Sequence, residues 1–202
     1  QGLGFFENLL VIEAFSSVGS GMGSALSTVD LGSEVILKFG SNAQKKQFLT
    51  PLTRGERRLG IAFAESEDGG DLTAISTIAR KRMDGYSIHG KKSFVLNASS
   101  ADSFITLCKE PTEGWITLMV EREREGIEVH PIEKMGLRMI SFGDLLFKEV
   151  LEPLGNRIGR EGEGMTHVHH CYQAMGLKST AQALGTAQGA FDRATQYAKQ
   201  RE

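Results

Sequence analysis

The sequence predicts an α+β protein with helices at both ends and a β-rich middle. Three patterns carry this prediction: helical spacing of apolar residues near the start, alternating runs separated by turn signals in the middle, and a long stripe of small and apolar residues near the end. We therefore expect a helical segment over residues 1–58 and an antiparallel β-barrel or sandwich over residues 59–160. Residues 161–202 are predicted to form one long C-terminal helix.

The composition narrows the classes of function. The chain has 202 residues, of which 40% are hydrophobic and 24% charged, as is typical of a globular protein with a sizeable core. A net charge of -2 gives no electrostatic case for binding nucleic acid, and no apolar run approaches the roughly 20 residues that span a bilayer. Cys108 and Cys171 are too few for a disulfide framework, so we expect reduced thiols and a cytoplasmic protein.

The first segment is predicted as a series of helices. Apolar residues over 5–13 follow a helical spacing. Residues 19–23 then interrupt this helix with three glycines, which permit either a bend or close helix packing. A second helix over residues 31–39 ends at Gly40, and residues 41–44 have the Ser-x-x-Gln spacing of a capping box that begins a third.

The middle segment contains a strong hairpin signal. An Asp-Gly dipeptide at residues 84–85 joins two alternating runs, residues 77–80 and 86–89. Residues 90–92 are interpreted as a second turn, followed by a third run over residues 93–96. Four further runs rich in β-branched and aromatic residues predict strands near residues 104–108, 115–120, 126–130 and 145–150.

Two stretches flank this hairpin, AESEDGGD at residues 64–71 and HGKKSFVLN at residues 89–97. In this order they resemble the middle β-domain of acyl-CoA dehydrogenases, where the corresponding segments read roughly TEPxAGSD and NGxKxxITN. Residues 31–56, the KMGLR run at 134–138 and the GREGEG run at 159–164 resemble the same family on either side. The resemblance covers nearly the whole chain and implies a piece of a longer flavoenzyme that oxidises acyl-CoA thioesters, with FAD as the hydride acceptor.

The resemblance implies a flavin-facing surface on the predicted sheet. Phe63 and Ala64 match positions whose backbone meets the isoalloxazine edge, and Phe94 matches an aromatic position that can stack on the ring. The family usually has hydroxyl groups at the positions of Ala64, Gly70 and Leu96, and all three are absent here. Two alternatives stay open: FAD is bound through backbone groups, or binding is weakened or lost and Phe94 and Leu96 are ordinary core residues.

Two further places imply contacts with the FAD diphosphate. Gly69 and Gly70 can bring backbone N–H groups close to phosphate, and a plain turn is the alternative. Arg201 matches a family arginine that reaches the FAD diphosphate of a neighbouring subunit, a role that suits the bidentate guanidinium. A solvated charge at the end of a helix is the alternative for Arg201.

The sequence does not identify a catalytic base. The family removes the substrate α-proton with a carboxylate, which in most members lies in C-terminal helices beyond the position of residue 202. In a minority of members it lies at about the position of Met175, which is followed here by Gly176 where the family commonly has arginine. Neither side chain can accept a proton.

A metal site is not predicted. His167, His170 and Cys171 have the spacing of neighbours on one helical face, but no fourth zinc ligand is evident in the sequence. The chain also lacks a Walker loop, a Rossmann fingerprint and a recognisable Ser-His-Asp arrangement.

Three functions remain as hypotheses. The first is an FAD-dependent acyl-CoA dehydrogenase of fatty acid metabolism, which passes electrons to an electron-transfer flavoprotein or a similar acceptor. The second is a catalytically degenerate partner subunit in a hetero-oligomer of the same family, and the third is an unrelated β-scaffold that binds a ligand. The small-residue stripe of residues 165–202 has no predicted partner helix in this chain, so we expect the missing C-terminal part or another chain to cover it. This predicts a homo- or hetero-oligomer.

Overall fold

The computed structural model describes residues 4–65 and 70–201, and it confirms the α+β class with a long C-terminal helix. Its contacts divide the chain into two compact units. Residues 1–29, 134–140 and 172–202 form one, called here the helical unit, and residues 30–133 and 141–171 form the other, called the sheet unit. Among the described residues, no helix is long and apolar enough to cross a membrane. The division at residues 58 and 160 stays a prediction.

The helical unit contains α1 (Phe5–Val18), α2 (Ser20–Ser27) and most of α6 (Gly164–Gln200). The sequence permits either a bend or close helix packing at the glycines of residues 19–23, and the structure shows both. Gly19 is extended, with φ −167°, and separates α1 from α2, whereas a Cβ at Gly23 would overlap the Ser16 hydroxyl. The run is therefore a bend and also a close helix contact.

Gly185 and Gly189 of α6 are covered by α1, which corrects, for this part of the helix, the expectation that a missing part or another chain covers it. Ala187, Ala194 and Ala198 of the stripe are exposed. A Cβ at Gly185 would overlap the Glu13 carbonyl oxygen, and one at Gly189 would overlap the Ser17 carbonyl oxygen, both on α1. The large members of the stripe remain exposed, including Phe191. Close backbone approach explains the glycines, which otherwise weaken a helix.

The sheet unit begins with α3 (Ser33–Phe39), α4 (Asn42–Gln44), a π-helical turn (Lys45–Leu49) and α5 (Thr50–Thr53). The capping box is confirmed, because the Gln44 N–H donates to Ser41 Oγ at 3.2 Å and the Ser41 N–H donates to Gln44 Oε1 at 2.9 Å. The Gln44 amide also donates to the carbonyls of Gly155 and Arg157, at 2.8 and 2.7 Å. One side chain thus caps a helix and ties it to the end of the sheet.

Eight strands form one sheet in the order β6-β7-β3-β1-β4-β5-β8, and β2 pairs with β3 and β4 beside this path. The strands are β1 (Leu59–Ala62), β2 (Ile78–Lys81), β3 (Gly85–Leu96), β4 (Ser103–Glu110), β5 (Gly114–Glu121), β6 (Ile127–Pro131), β7 (Phe142–Pro153) and β8 (Arg157–Ile158). Their inward side chains form a core that includes Tyr86, Phe104, Ile116, Phe147 and Val150.

The sheet is mixed rather than purely antiparallel, because β4 runs parallel to β1 and β2. The predicted hairpin supplies the physical reason, since β2 and β3 lie between β1 and β4 in sequence and give the long connection that a parallel pair needs. The other pairings are antiparallel. No pairing joins β6 to β8 among the described residues, so closure into a barrel stays a prediction.

The hairpin itself is confirmed, but the turn predicted at residues 90–92 is wrong. Lys81 pairs with Tyr86, and the Arg82 N–H donates to the Gly85 carbonyl at 2.8 Å. β3 then runs without a turn to Leu96, with irregular pairing against β7 before Gly90 and after Lys92. Gly90 has φ +146° and packs against Thr77, so its glycine serves a bulge instead of a chain reversal.

Candidate functional site

Four of the predicted flavin-contacting residues lie on two adjacent segments of the sheet unit. Phe63 and Ala64 follow the end of β1, and Phe94 and Leu96 lie near the end of β3. The Ser93 N–H donates to the Ala64 carbonyl at 2.9 Å, and Leu96 pairs with Ile61. The fold thus brings together residues that are about 30 positions apart in sequence.

A buried ion pair holds these two segments together. The Lys92 side chain is completely buried, and its Nζ lies 2.9 Å from Glu65 Oε1 and 2.9 Å from the Phe63 carbonyl oxygen. Buried charges are tolerated only when they are paired and hydrogen-bonded. Lys92 therefore links the end of β1 to the middle of β3.

The Glu65 carboxylate is saturated with donors. Its Oε2 accepts from the backbone N–H and hydroxyl of Ser76 at 2.8 and 2.7 Å, and its Oε1 accepts from those of Thr77 at 2.9 and 2.6 Å. Burial alone raises the pKa of Glu65, but the Lys92 charge and these hydrogen bonds outweigh it and lower the pKa to about 2. The residues Glu65, Ser76, Thr77 and Lys92, called here the Glu65–Lys92 cluster, thus contain an ionised carboxylate at neutral pH.

Phe94 has an unusual backbone and an unusual environment. Its φ is +54°, in the left-handed region that bulky residues rarely adopt, and the residue is 63% exposed. Such strain costs about 1–3 kcal/mol and persists where the surrounding structure imposes it, commonly at ligand sites. An exposed aromatic ring held in this way is suited to stacking on a planar ligand. The exposure is inconsistent with the alternative that Phe94 is an ordinary core residue.

The predicted diphosphate contacts are less well supported by geometry. Gly70 is exposed with φ +92°, and a Cβ there would meet no atom within 4 Å. Gly69 lies outside the described residues. Arg201 belongs to the helical unit, where it is exposed just after α6 and its N–H donates to the Tyr197 carbonyl at 2.9 Å. The roles of these three residues stay predictions.

The residues of the sheet unit fit an isoalloxazine ring. Phe94 offers an exposed ring, Ala64 and Leu96 are half-buried apolar neighbours, and the backbone after β1 offers polar groups. Side-chain hydroxyls are absent at Ala64 and Leu96, so hydrogen bonds from these positions to a flavin must come from the backbone. The fit therefore depends on how firmly that backbone is oriented.

The sequence interpretation missed the roles of Glu65 and Lys92, although both lie in the quoted stretches. The adjacent lysines Lys91 and Lys92 could have indicated a buried ion pair, because they lie within one strand. Successive side chains of a strand point to opposite faces, so one lysine of such a pair faces the interior and needs a buried acceptor. The structure shows this arrangement, because Lys91 is half-exposed and pairs with Asp144 at 2.6 Å while Lys92 pairs with Glu65.

The structure places no proton acceptor at the α6 position identified from the sequence. Met175 is half-buried on the helix, and Gly176 is exposed with open space where a side chain would lie. These residues supply neither a carboxylate nor a positive charge. A catalytic base is thus not assigned to this chain.

His167 and His170, near the start of α6, pack against Phe39. The His167 ring centroid lies 4.4 Å from that of Phe39, and the His170 ring meets the same ring edge-on at 5.6 Å. Burial lowers the pKa of His167, even though Glu163 lies 3.8 Å away. Within residues 4–65 and 70–201, no three His, Cys, Asp or Glu side chains are grouped as metal ligands.

The comparisons with known proteins all agree on one protein family. Residues 60–150 match the family described as "Acyl-CoA dehydrogenase, middle domain", and residues 1–56 match "Acyl-CoA dehydrogenase, N-terminal domain". The short-chain specific acyl-CoA dehydrogenase of Clostridium acetobutylicum is 32% identical over 200 residues, which are 96% of this chain and 53% of that protein. The chain therefore spans about half the length of the curated relatives it matches.

Two further relatives bear on the cofactor and the partner. The CarC subunit of the caffeyl-CoA reductase–Etf complex of Acetobacterium woodii is 30% identical over 201 residues, or 96% of this chain and 53% of that subunit. The acyl-CoA dehydrogenase complexed with FAD from Bacillus anthracis superposes with a TM-score of 0.92 and 31% identity, over 100% of this chain and 35% of that one.

Proposed function

Because this chain belongs to the acyl-CoA dehydrogenase family, we propose that it is part of an FAD-dependent enzyme that oxidises the Cα–Cβ bond of an acyl-CoA thioester. One observation supports this proposal above the others: Phe94 is exposed on strained backbone directly beside the segment that contains Phe63 and Ala64. This combination offers a stacking ring and backbone hydrogen-bonding groups to one planar cofactor.

Bound FAD would supply the hydride acceptor, and the residues of this chain would hold its ring. Phe94 stacks against the isoalloxazine, and Ala64 presents its backbone to the ring edge. Leu96 bounds the same surface as an apolar neighbour. Gly69 and Gly70 are proposed to contact the diphosphate through backbone N–H groups. Arg201 is proposed to contact the FAD diphosphate of a neighbouring subunit through its guanidinium.

Removal of the substrate α-proton requires a base that neither Met175 nor Gly176 provides. We propose that a carboxylate in a part of the protein outside this sequence fulfils this role. We also propose that the chain divides into three segments, at residues 58 and 160. The protein is proposed to be cytoplasmic and oligomeric, and to pass its electrons to an electron-transfer flavoprotein. The likeness to CarC, a subunit of a reductase–Etf complex, supports the choice of acceptor.

A degenerate partner subunit is the second candidate. It is favoured by the missing hydroxyls at Ala64, Gly70 and Leu96, together with the missing charge at Gly176. The visible absorption spectrum of the purified protein separates the two candidates. We expect a flavin band equivalent to about one FAD per chain, whereas a colourless homo-oligomer, or half occupancy in a mixed complex, would support the second candidate.

The variant Leu96→Thr restores one hydroxyl at a half-buried position. If the ring of FAD lies here, the added donor should leave FAD binding unchanged or tighten it, as measured by flavin fluorescence titration with parallel thermal melts. The matched control is Val95→Thr, which places a hydroxyl in the core on the other face of β3 and should lower stability by about 1–3 kcal/mol without tightening FAD. A Leu96→Thr protein that is destabilised and ignores FAD would contradict the flavin site.

A further inference from the structure

The buried ammonium of Lys92 is suited to orienting backbone, not to touching a ligand. The side chain has no exposed surface, and its Nζ is committed to the Phe63 carbonyl and the Glu65 carboxylate, each at 2.9 Å. A cofactor on the surface beside Phe94 therefore does not contact this ammonium. Any effect of Lys92 on a cofactor must pass through the groups that it holds.

The Phe63 carbonyl is the group that matters for the proposed site. It belongs to the same peptide unit as the Ala64 N–H, and no described peptide bond is cis. In a trans peptide the C=O and N–H point in opposite directions. Because the Phe63 carbonyl points at Lys92, the Ala64 N–H points away from this buried ammonium.

The next peptide unit, which contains the Ala64 carbonyl, is also held by β3. The Ala64 carbonyl accepts the Ser93 N–H at 2.9 Å, one residue beyond Lys92 in β3. The two peptides that flank the Ala64 α-carbon thus both depend on contacts from the Lys92–Ser93 segment. Phe94, the exposed ring of the proposed site, follows directly.

We propose that Lys92 is a positioning residue for the flavin: by holding the Phe63 carbonyl inward, it aims the Ala64 N–H at the ring. This inference rests on the proposed function and deepens it. It also explains how the site tolerates Ala64, because the oriented backbone N–H donates a hydrogen bond to the flavin where the family's side-chain hydroxyl is missing. A charged donor suits this role because charge-assisted hydrogen bonds are shorter and stronger than neutral ones.

Glu65 keeps the ammonium in place. Its carboxylate is anchored by Ser76 and Thr77 and offers Lys92 a fixed anionic partner. This anchoring leaves the lysine little freedom to turn away from the Phe63 carbonyl. The Glu65–Lys92 cluster therefore both stabilises the fold and orients the Ala64 backbone.

The test separates these two functions with three variants of the intact protein. Lys92→Met removes the ammonium and leaves the buried Glu65 carboxylate without that positive charge. Lys92→Met/Glu65→Gln removes both charges, so that no unpaired charge remains. Lys91→Met is the matched control, because that neighbouring lysine is half-exposed and pairs with Asp144 on the other side of the strand.

Each variant is measured by thermal melting, by FAD titration and by the position of the flavin absorption band. For Lys92→Met we expect a lower melting temperature and FAD binding at least tenfold weaker. For the double variant we expect much of the melting temperature to return, while FAD binding stays at least tenfold weaker and the absorption band is shifted. Lys91→Met should match the parent in FAD affinity and in the absorption band.

Recovery of both melting temperature and FAD affinity in the double variant would overturn the inference, because Lys92 would then act only on stability. Parent-like FAD affinity in Lys92→Met would overturn it as well. If Lys92→Met does not fold, the double variant and the control decide the question. A parent protein that binds no FAD would overturn the proposed flavin function together with this inference, whereas FAD bound equally by all proteins overturns the inference alone.

Discussion

Lys92 and Lys81 both contact acceptors on other segments, yet the two lysines have different consequences for the molecule. Lys92 is completely buried and contacts Glu65 and the Phe63 carbonyl. The Lys81 side chain is 41% exposed and pairs with Glu113 and Glu161, between the β2–β3 hairpin and neighbouring loops. Water can replace the partners of Lys81 but not those of Lys92, so only the buried pair imposes one geometry.

The two lysines differ in their exposure to solvent. The hydrogen bonds to Glu113 and Glu161 raise the pKa of Lys81, so this lysine is charged at any ordinary pH. The pair with the exposed Glu161 is screened by water and salt, and such a pair contributes little to stability. For Lys92, loss of the Glu65 carboxylate leaves a positive charge in the interior without this anionic partner.

Among the variants that test this comparison, Glu65→Gln should lower the unfolding free energy most. The substitution leaves the Lys92 ammonium buried beside a neutral amide, and breaking a buried pair in this way typically destabilises by about 3–5 kcal/mol. Chemical denaturation of parent and variant measures the difference in unfolding free energy. Equal stability would show that the interior at Lys92 is more hydrated than the described packing allows.

The next effect is the pH dependence that Glu65 confers. Its folded pKa of about 2 lies below the ordinary value of 4.5, so its contribution to stability is present above pH 4.5 and is lost as the pH falls towards 2. A shift of this size corresponds to about 3 kcal/mol. Denaturation at a series of pH values should show this acid-sensitive component in the parent and its absence in Glu65→Gln, since other carboxyl groups titrate in both proteins.

The smallest effect is expected for Lys81→Met. The variant removes both ion pairs, but water solvates the exposed Glu161, and Arg157 still contacts both carboxylates. Thermal melts should therefore differ from the parent by a small fraction of the shift seen in Glu65→Gln. A loss of stability as large as that of Glu65→Gln would mean that exposure is not what distinguishes the two lysines.

The sequence by itself determined the class of fold and much of the local structure. The Asp-Gly dipeptide at 84–85 and the Ser-x-x-Gln spacing at 41–44 predicted a hairpin and a capping box that the structure confirms, because both signals act between residues close in sequence. The family resemblance rested on ordered motifs in the same way. The comparisons with known proteins confirm it.

Tertiary structure decided the features that depend on distant residues. The parallel pairing of β4 with β1, the bulge at Gly90 and the cover that α1 gives to Gly185 all arise from contacts between separate segments. The same holds for Phe94, whose φ of +54° and exposure no local pattern predicts. Lys92 completes the comparison: alternation along a strand can say that one of two adjacent lysines turns inward, but only the packed sheet shows that it meets Glu65 and the Phe63 carbonyl.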